Sequence, residues 1–162
     1  MNQVGDSGAV SDQRVEPEFF PPGSKVCFVC LTDPEISRTI RTVFESHGYL
    51  TTGTHDVEIA RQKLRLNQYQ IVVVVLEANP EYKGIFHEIN TWPGNLRRDI
   101  NLIVMGKKAP SLHQQMAFIM GANYYLNLND APKMENLIKQ VIDGHAEYYQ
   151  SWNQVREEVD AN

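Results

Sequence analysis

Several features that would direct a chain of this length to a membrane or a nucleic acid are missing. No apolar run approaches the ~18 residues that a membrane-spanning helix requires. Residues 1–24 lack the basic start and apolar stretch of a signal peptide. The net charge of -5 and a pI near 5.5 give no general attraction to phosphate backbones or anionic lipid. We therefore expect a cytoplasmic protein with no nucleic-acid and no membrane partner.

Cysteine is also scarce, and the two that are present form a Cys27-x-x-Cys30 pair. Both lie in the apolar segment Val26–Leu31, which favours a β-strand, where residues three apart point to opposite faces. A redox pair would stand at a helix start instead, and a zinc site would need a second pair of ligands that the sequence lacks. We interpret both as buried free cysteines and expect no metal and no cofactor.

What the chain does contain is a run of six aliphatic residues, Ile71–Leu76, four of them valine. No polar face alternates through this run, which predicts a strand buried on both faces in the middle of a parallel sheet. In open α/β sheets the functional site lies beyond the carboxyl ends of such strands. Glu77 is the carboxylate that follows this strand most closely.

The remaining segments predict one α/β domain at residues 25–145, a doubly wound five-stranded parallel sheet. The other strands are expected at residues 25–31, 49–52, 100–105 and 124–126. They alternate with helices at about 34–47, 57–66, 85–89 and 111–120, and from 132 onward. Asp33 is the predicted cap of the first helix and Ser111 that of the fourth. Residues 1–24 are predicted to be a flexible tail, with Phe19-Phe20 as a candidate for docking on the domain.

The last helix is longer than such a sheet needs. Apolar and aromatic residues recur at three-four spacing from Met134 to Val159, and a continuous helix of roughly 28 residues would span about 40 Å. Residues 146–162 are therefore predicted to be a helical extension whose apolar stripe needs a partner. That partner would be a second copy, giving a homodimer, or another protein. The alternative is a helix that folds back at Gly144 onto its own domain, or frays.

The element order, the segment Gly121-Ala-Asn-Tyr-Tyr-Leu126 and the helix start Asp33-Pro34-Glu35 resemble the receiver domains of bacterial response regulators. The family typically has Gly-Ala-x-x-Tyr-Leu followed by Lys-Pro at this segment. The resemblance covers Lys25 to about His145. It implies a flavodoxin-like, receiver-type sheet and a role in two-component signal transduction.

The resemblance also implies reactive residues that this sequence does not have at the matching positions. A working receiver places two acids for Mg²⁺ after its first strand, a phosphate-accepting aspartate after the third, a Ser/Thr after the fourth and a Lys after the fifth. The acids match Leu31 and Thr32, with Asp33 one place later; the acceptor matches Val75 or Leu76, beside Glu77; the Ser/Thr matches Gly106 and the Lys matches Leu128. We expect a degenerate pseudo-receiver that is not an enzyme. Glu77 either imitates a phosphorylated aspartate or is a solvated loop acid.

Other sites on this scaffold lack their motifs. The Asp-x-His-x-x-Gly of cobalamin modules is absent from Thr32–Arg38, and so is the Gly-x-Gly-x-x-Gly of a dinucleotide site. The five histidines are scattered without a catalytic pattern. Arg97-Arg98 and Lys107-Lys108 could gather on one face, either as a solvated rim or as a site for an acidic partner.

These observations predict a protein–protein interaction module in bacterial signal transduction. The expected contact surface is the face formed by the fourth helix, the fifth strand and the last helix, which receivers use for pairing, together with the helical extension. Aromatic anchors at helical spacing are typical of such contacts. The candidate residues are Tyr125, Tyr148, Tyr149, Trp152 and Val155. The alternative is an atypical receiver still switched by phosphorylation or by a small ligand at the strand carboxyl edge, with an enzyme as a third interpretation.

Overall fold

Five parallel strands form the middle layer of the molecule, in the order β2-β1-β3-β4-β5. The computed structural model describes residues 14–75 and 80–161. The strands are β1 Lys25–Cys30, β2 Tyr49–Gly53, β3 Ile71–Val75, β4 Asn101–Gly106 and β5 Tyr124–Asn127. The helices are α1 Pro34–Ser46, α2 Val57–Leu66, α3 Lys83–Asn90, α4 Gly94–Arg98, α5 Gln114–Ile119, α6 Met134–Tyr148 and α7 Gln150–Asp160. Short 3-10 turns lie at Pro80–Tyr82 and Leu128–Lys133. The predicted doubly wound parallel sheet is confirmed.

Two separate apolar cores lie on the two faces of the sheet, and β3 contributes to both. Ile71, Val73 and Val75 face α1 and α6, whereas Val72 and Val74 face α2, α3 and α5. All five residues of β3 are buried, as a run of β-branched residues without a polar face predicts. The alternation also separates the cysteines, because Cys27 belongs to the first core and Cys30 to the second. Both thiols are free, as the strand geometry predicts.

Side-chain caps set two of the helix starts. Asp33 Oδ1 accepts hydrogen bonds from the backbone N–H of Glu35 at 2.9 Å and of Ile36 at 3.1 Å, which confirms the predicted cap of α1. The prediction for α5 is wrong, because this helix starts at Gln114 with His113 as its cap. Nδ1 of His113 accepts from the N–H of Met116 at 3.1 Å. The Ser111 hydroxyl is instead used between β4 and β5.

The long continuous helix is also a wrong prediction. The chain bends at Tyr149, between α6 and α7, where φ is -99° and ψ is 14°. After the bend, α7 contacts its own domain: Arg156 Nη1 lies 2.6 Å from Asp99 Oδ1, and the Arg98 guanidinium lies 4.9 Å from the centre of the Trp152 ring. The predicted domain boundary at residue 145 therefore falls inside α6. Residues 146–161 cross the amino end of the sheet rather than extend away from it.

Gly144 does not end a helix, which corrects the alternative expectation of a fold back at this residue. It lies inside α6, and a Cβ at this position would be 2.5 Å from the hydroxyl oxygen of Tyr124. The glycine therefore leaves room for the Tyr124 hydroxyl against α6.

The described part of the predicted tail is attached to the domain. The backbone N–H of Glu18 donates to Asn67 Oδ1 at 2.7 Å, and its carboxylate accepts from Thr52 Oγ1 at 3.0 Å and pairs with Lys63. Phe20 packs on the core beside Tyr69, whereas Phe19 is fully exposed. Glu18 and Phe20 thus hold this part of the predicted flexible tail against the domain, and of the two docking candidates only Phe20 packs on it. Residues 1–13 lie outside the described part of the chain.

None of the described helices combines the length and the apolar character that crossing a membrane would require.

Candidate functional site

The carboxyl ends of the strands meet at one edge of the sheet, which we call the rim. The register pairs Cys30 with Val74, and Gly106 with Asn127. Because all strand pairs are parallel, the carboxyl-terminal residues of β1, β3, β4 and β5 are brought together there. The rim therefore collects the positions that the sequence predicted as the degenerate site.

The described rim positions of β1, β3 and β4 are closed and apolar. Leu31 is 7% exposed and Val75 is 3% exposed, and both belong to the α1–α6 core. Gly106 is buried and carries no side chain, and Leu128 packs against the same core. None of these four residues has a side chain that carries an oxygen atom or a positive charge. Leu76 and Glu77 lie outside the described residues.

Asp33 is the carboxylate nearest the predicted acid pair, and it already has a structural role. Its Oδ1 caps α1 through two backbone N–H groups, and Thr32 before it is exposed. A single exposed carboxylate is a poor Mg²⁺ site, since this ion is usually held by several oxygens at octahedral positions. Within residues 14–75 and 80–161, no group of three His, Cys, Asp or Glu side chains is placed to hold a metal ion.

A network of neutral groups and one carboxylate ties the β4–α5 loop to the end of β5. The Ser111 hydroxyl donates to Asp130 Oδ2 at 2.6 Å and accepts from the N–H of Asn127 at 2.8 Å. The Asn127 amide donates to the Ala109 carbonyl at 2.8 Å. Sequence reasoning missed this network because it assigned Ser111 to a helix cap. The loop is thus held in place by direct bonds at the rim.

Tyr125 takes part in the same closure and is not a surface residue. Its side chain is 2% exposed, and its hydroxyl accepts from the backbone N–H of Lys108 at 2.9 Å. The expectation that Tyr125 contributes to an interaction surface is therefore wrong. Alternate residues of a strand face opposite sides, and the adjacent tyrosines at 124 and 125 gave no signal for which of them points inward.

The other predicted surface residues divide into exposed and half-buried ones. Tyr148 is 81% exposed, and Val155 is also exposed. Tyr149 is half-buried, with its ring centre 4.7 Å from that of His145, and Trp152 is half-buried beneath Arg98. The structure therefore leaves Tyr148 and Val155 accessible and uses Tyr149 and Trp152 within the domain.

Two exposed apolar residues that the sequence did not single out lie on α5. Phe118 is 85% exposed and Ile119 is also largely exposed. Between α5, β5 and α6 lies a groove of about 660 Å³, whose lining includes Phe118, Tyr124 and Tyr148. We call it the α5–α6 groove. Helical spacing could have indicated that Phe118 is exposed, because the residue before it, Ala117, faces the core.

The basic residues do not form the single patch that was considered. Arg97 and Arg98 precede β4, whereas Lys107 and Lys108 follow it, so the two pairs stand at opposite ends of this strand. The Arg97 guanidinium is used internally and donates to the carbonyls of Ile100 and Gly121 at 3.1 and 2.9 Å.

His145 lies at the amino end of the sheet beside Arg97. Burial, the largest cause, and the charge of Arg97 lower the pKa of His145 to about 4, although Asp99 acts in the opposite direction. The imidazole is therefore neutral at pH 7, which removes it as a cation for binding an acidic partner.

No protein-family model matches the chain, and no curated protein does. Solved structures are similar to it over nearly their whole length. An orphan response regulator of H. pylori has 17% identity and a TM-score of 0.59, covering 77% of this chain and 98% of its own. A receiver domain protein from Methanospirillum hungatei has 14% identity, a TM-score of 0.59 and the same coverage. A Francisella response regulator receiver domain has 19% identity and a TM-score of 0.57, covering 77% and 99%.

These likenesses define the fold. The five-stranded parallel sheet, its strand order and its flanking helices are those of the flavodoxin-like, receiver-type fold, here with a C-terminal helix that bends across the sheet's amino end.

Proposed function

We propose that this chain is a receiver-like domain without phosphotransfer activity that acts by binding another protein in a signalling or regulatory pathway. One observation carries the proposal: Leu31, matched to an acid, and Val75, one of the two residues matched to the phosphate acceptor, are apolar and buried. A buried aliphatic side chain can neither accept a phosphoryl group nor hold a metal ion.

The chemistry of phosphoryl transfer supports this proposal. Transfer depends on positioning and on neutralising the charge of the phosphoryl oxygens by metal ions and cationic side chains. At the rim, the matched positions Gly106 and Leu128 supply neither a hydroxyl nor an ammonium group. Asp33 is used as a helix cap.

The proposed partner surface is the α5–α6 groove with its apolar margin. Phe118, Ile119 and Tyr148 are large apolar or aromatic side chains exposed on the two helices that border it. Aromatic residues beside a pocket are the usual anchors of protein interfaces, because they bury much area at low entropic cost. The occupant is a protein surface with an apolar anchor, from another protein or from a second copy.

The absence of phosphotransfer is tested with acetyl phosphate and Mg²⁺. After incubation, intact mass spectrometry should show the unmodified chain, while a receiver with the full set of acids, treated in parallel, gains a phosphoryl group. A phosphoryl adduct on this chain would contradict the proposal. It would favour the alternative of an atypical receiver switched by phosphorylation, and peptide mapping would identify the residue.

The partner surface is tested with Phe118→Ser and Tyr148→Ser. The matched control is Phe19→Ser, because Phe19 is also exposed but lies before β1, outside the α5–α6 groove. Light scattering first measures the mass of the native chain. If it is a dimer, the two groove variants should be monomeric; if it is a monomer, they should lose co-purified proteins that the control retains. Identical behaviour of all three variants and the native chain would remove this surface assignment.

A further inference from the structure

A second open groove lies at the opposite edge of the sheet, beside β2, between α1 and the turn that joins β2 to α2. Its volume is about 490 Å³, and we call it the α1 groove. Its lining includes Arg38 and Arg41 of α1 and several hydroxyl groups, those of Ser37, Thr42 and Thr54. Small-molecule sites typically have volumes of about 300–1,000 Å³. The groove also reaches Leu31 and Gly53, at the carboxyl ends of β1 and β2, where α/β sheets place their ligands.

Arg41 lines this groove and has one buried donor without a partner. Its Nε is buried and has no hydrogen-bond partner among the described residues. The guanidinium also lies close to Gly53: a Cβ at this glycine would be 2.0 Å from the carbonyl oxygen of Val29 and 3.0 Å from Nη2 of Arg41. A buried N–H without an acceptor is unfavourable, since it has lost water and gained no bond. Arg41 therefore stands at the wall of the groove with a buried N–H for which the described residues supply no acceptor.

The charged residues of α1 that line the groove are two arginines and one glutamate, which leaves a net positive charge. Arg38 and Arg41 are three residues apart on α1 and so stand next to each other on the helix surface. Within the described ranges, Arg38 makes no hydrogen bond or ion pair. Glu45 also lines the groove, but its carboxylate accepts from Thr51 Oγ1 at 2.6 Å. Two nearby carboxylates, Asp33 and Asp56, are used as helix caps.

We propose that the α1 groove binds a small molecule that carries a phosphate group. The planar guanidinium of arginine presents paired donors that match phosphate oxygens, and two adjacent arginines can contact one phosphate from two directions. The Thr54 hydroxyl and His55 at the opposite wall provide polar contacts for the rest of the ligand. The site is independent of the proposed partner surface, which lies on α5 and α6.

The test is an NMR titration of the ¹⁵N-labelled full chain at constant ionic strength. The probes are inorganic phosphate, adenosine monophosphate and adenosine, with chloride as the balancing anion. Both phosphate-bearing probes should shift the Nε–H signal of Arg41 and the amide signals of Thr54 and His55. Adenosine should leave these signals unchanged. Equal shifts with adenosine, or none with either phosphate probe, would overturn the proposal.

Charge-matched variants assign the binding to the arginines. Arg38→Gln and Arg41→Gln should each weaken binding of adenosine monophosphate about tenfold, because each removes a charge-assisted pair of hydrogen bonds. Arg14→Gln removes the same charge from an exposed position outside the groove and should bind like the native chain. If Arg41→Gln does not fold, the exposed Arg38 decides the outcome. Unchanged affinity of Arg38→Gln, or a loss in Arg14→Gln as large as in Arg38→Gln, would refute a site at the α1 groove.

Discussion

The guanidinium of Arg97 fixes the amino end of β4 and the turn before β5. It donates to Asn123 Oδ1 at 3.0 Å and to the carbonyls of Ile100 and Gly121 at 3.1 and 2.9 Å, all partly buried. A fourth bond, to Asn90 Oδ1 at 3.2 Å, is exposed. Replacing Arg97 by alanine removes all four and leaves two backbone carbonyls without their donor.

The magnitude follows from the three partly buried bonds. At about 1 kcal/mol net for each, Arg97→Ala should lower the free energy of unfolding by about 3 kcal/mol. That is a large share of the roughly 5–15 kcal/mol that stabilises a typical domain. For a chain of this size it corresponds to a fall in Tm of about 6–12 °C. Arg97→Lys should recover about 1 kcal/mol, because one ammonium group cannot reach three acceptors placed around a planar fork.

Urea unfolding followed by far-ultraviolet circular dichroism measures the difference. The neighbouring Arg98→Ala is the matched control, since Arg98 stacks over Trp152 at the surface and should contribute only about 0.5–1 kcal/mol. If Arg97→Ala and Arg98→Ala differed by less than about 1 kcal/mol, the hydrogen bonds of Arg97 would not have the structural role derived for them.

Three further predictions concern α6 and the cysteines. Gly144→Ala should not give the stabilisation of about 1 kcal/mol that alanine normally brings to a helix interior in urea unfolding, because its Cβ would meet the Tyr124 hydroxyl and displace that ring; Tyr124→Phe in the same chain should recover the gain. The folded-state pKa of His145, about 4, lies below its unfolded value, so stability is retained above about pH 6.5 and is lost as the pH falls toward 4; His145→Gln should reduce this loss by on the order of 2 kcal/mol, and equal pH profiles would contradict the assignment. Burial raises the pKa of Cys27, and it raises that of Cys30 to about 12, so neither thiol should react with a thiol reagent at pH 8 until urea unfolds the chain, and rapid reaction of the native protein would be the contrary result.

The layered fold could be predicted because its signals are local. The valine run of β3 needs no knowledge of the rest of the chain to indicate a strand buried on both faces, and Asp33 followed by Pro34 marks a helix start in the same way. The meeting of the strand ends at one edge could also be predicted, since the strands are parallel.

The bend at Tyr149 could not be predicted, because neither glycine nor proline stands there. Contacts between distant segments accompany it: Arg156 pairs with Asp99, and Trp152 packs beneath Arg98. The spacing of apolar residues shows only that one face of a helix is apolar. It does not show which surface covers that face. The inward orientation of Tyr125 was missed because it depends on a distant segment: its hydroxyl accepts a hydrogen bond from the β4–α5 loop.

The α1 groove also lies beyond local sequence reasoning. Arg38 and Arg41 look like ordinary polar residues of an amphipathic helix. Only the folded structure shows that both arginines line one groove together with Gly53 at the end of β2.

Because Glu18 is bonded to the domain, amino-acid composition does not show where the cooperatively folded part of the chain starts. A chain shortened to begin at Lys25, where the first strand starts, would leave the Lys63 ammonium without its carboxylate and would uncover the ring of Tyr69. Limited proteolysis of the native protein should therefore stop before Glu18. The seven residues 18–24 belong to the folded domain because of their contacts, although their composition is that of a tail.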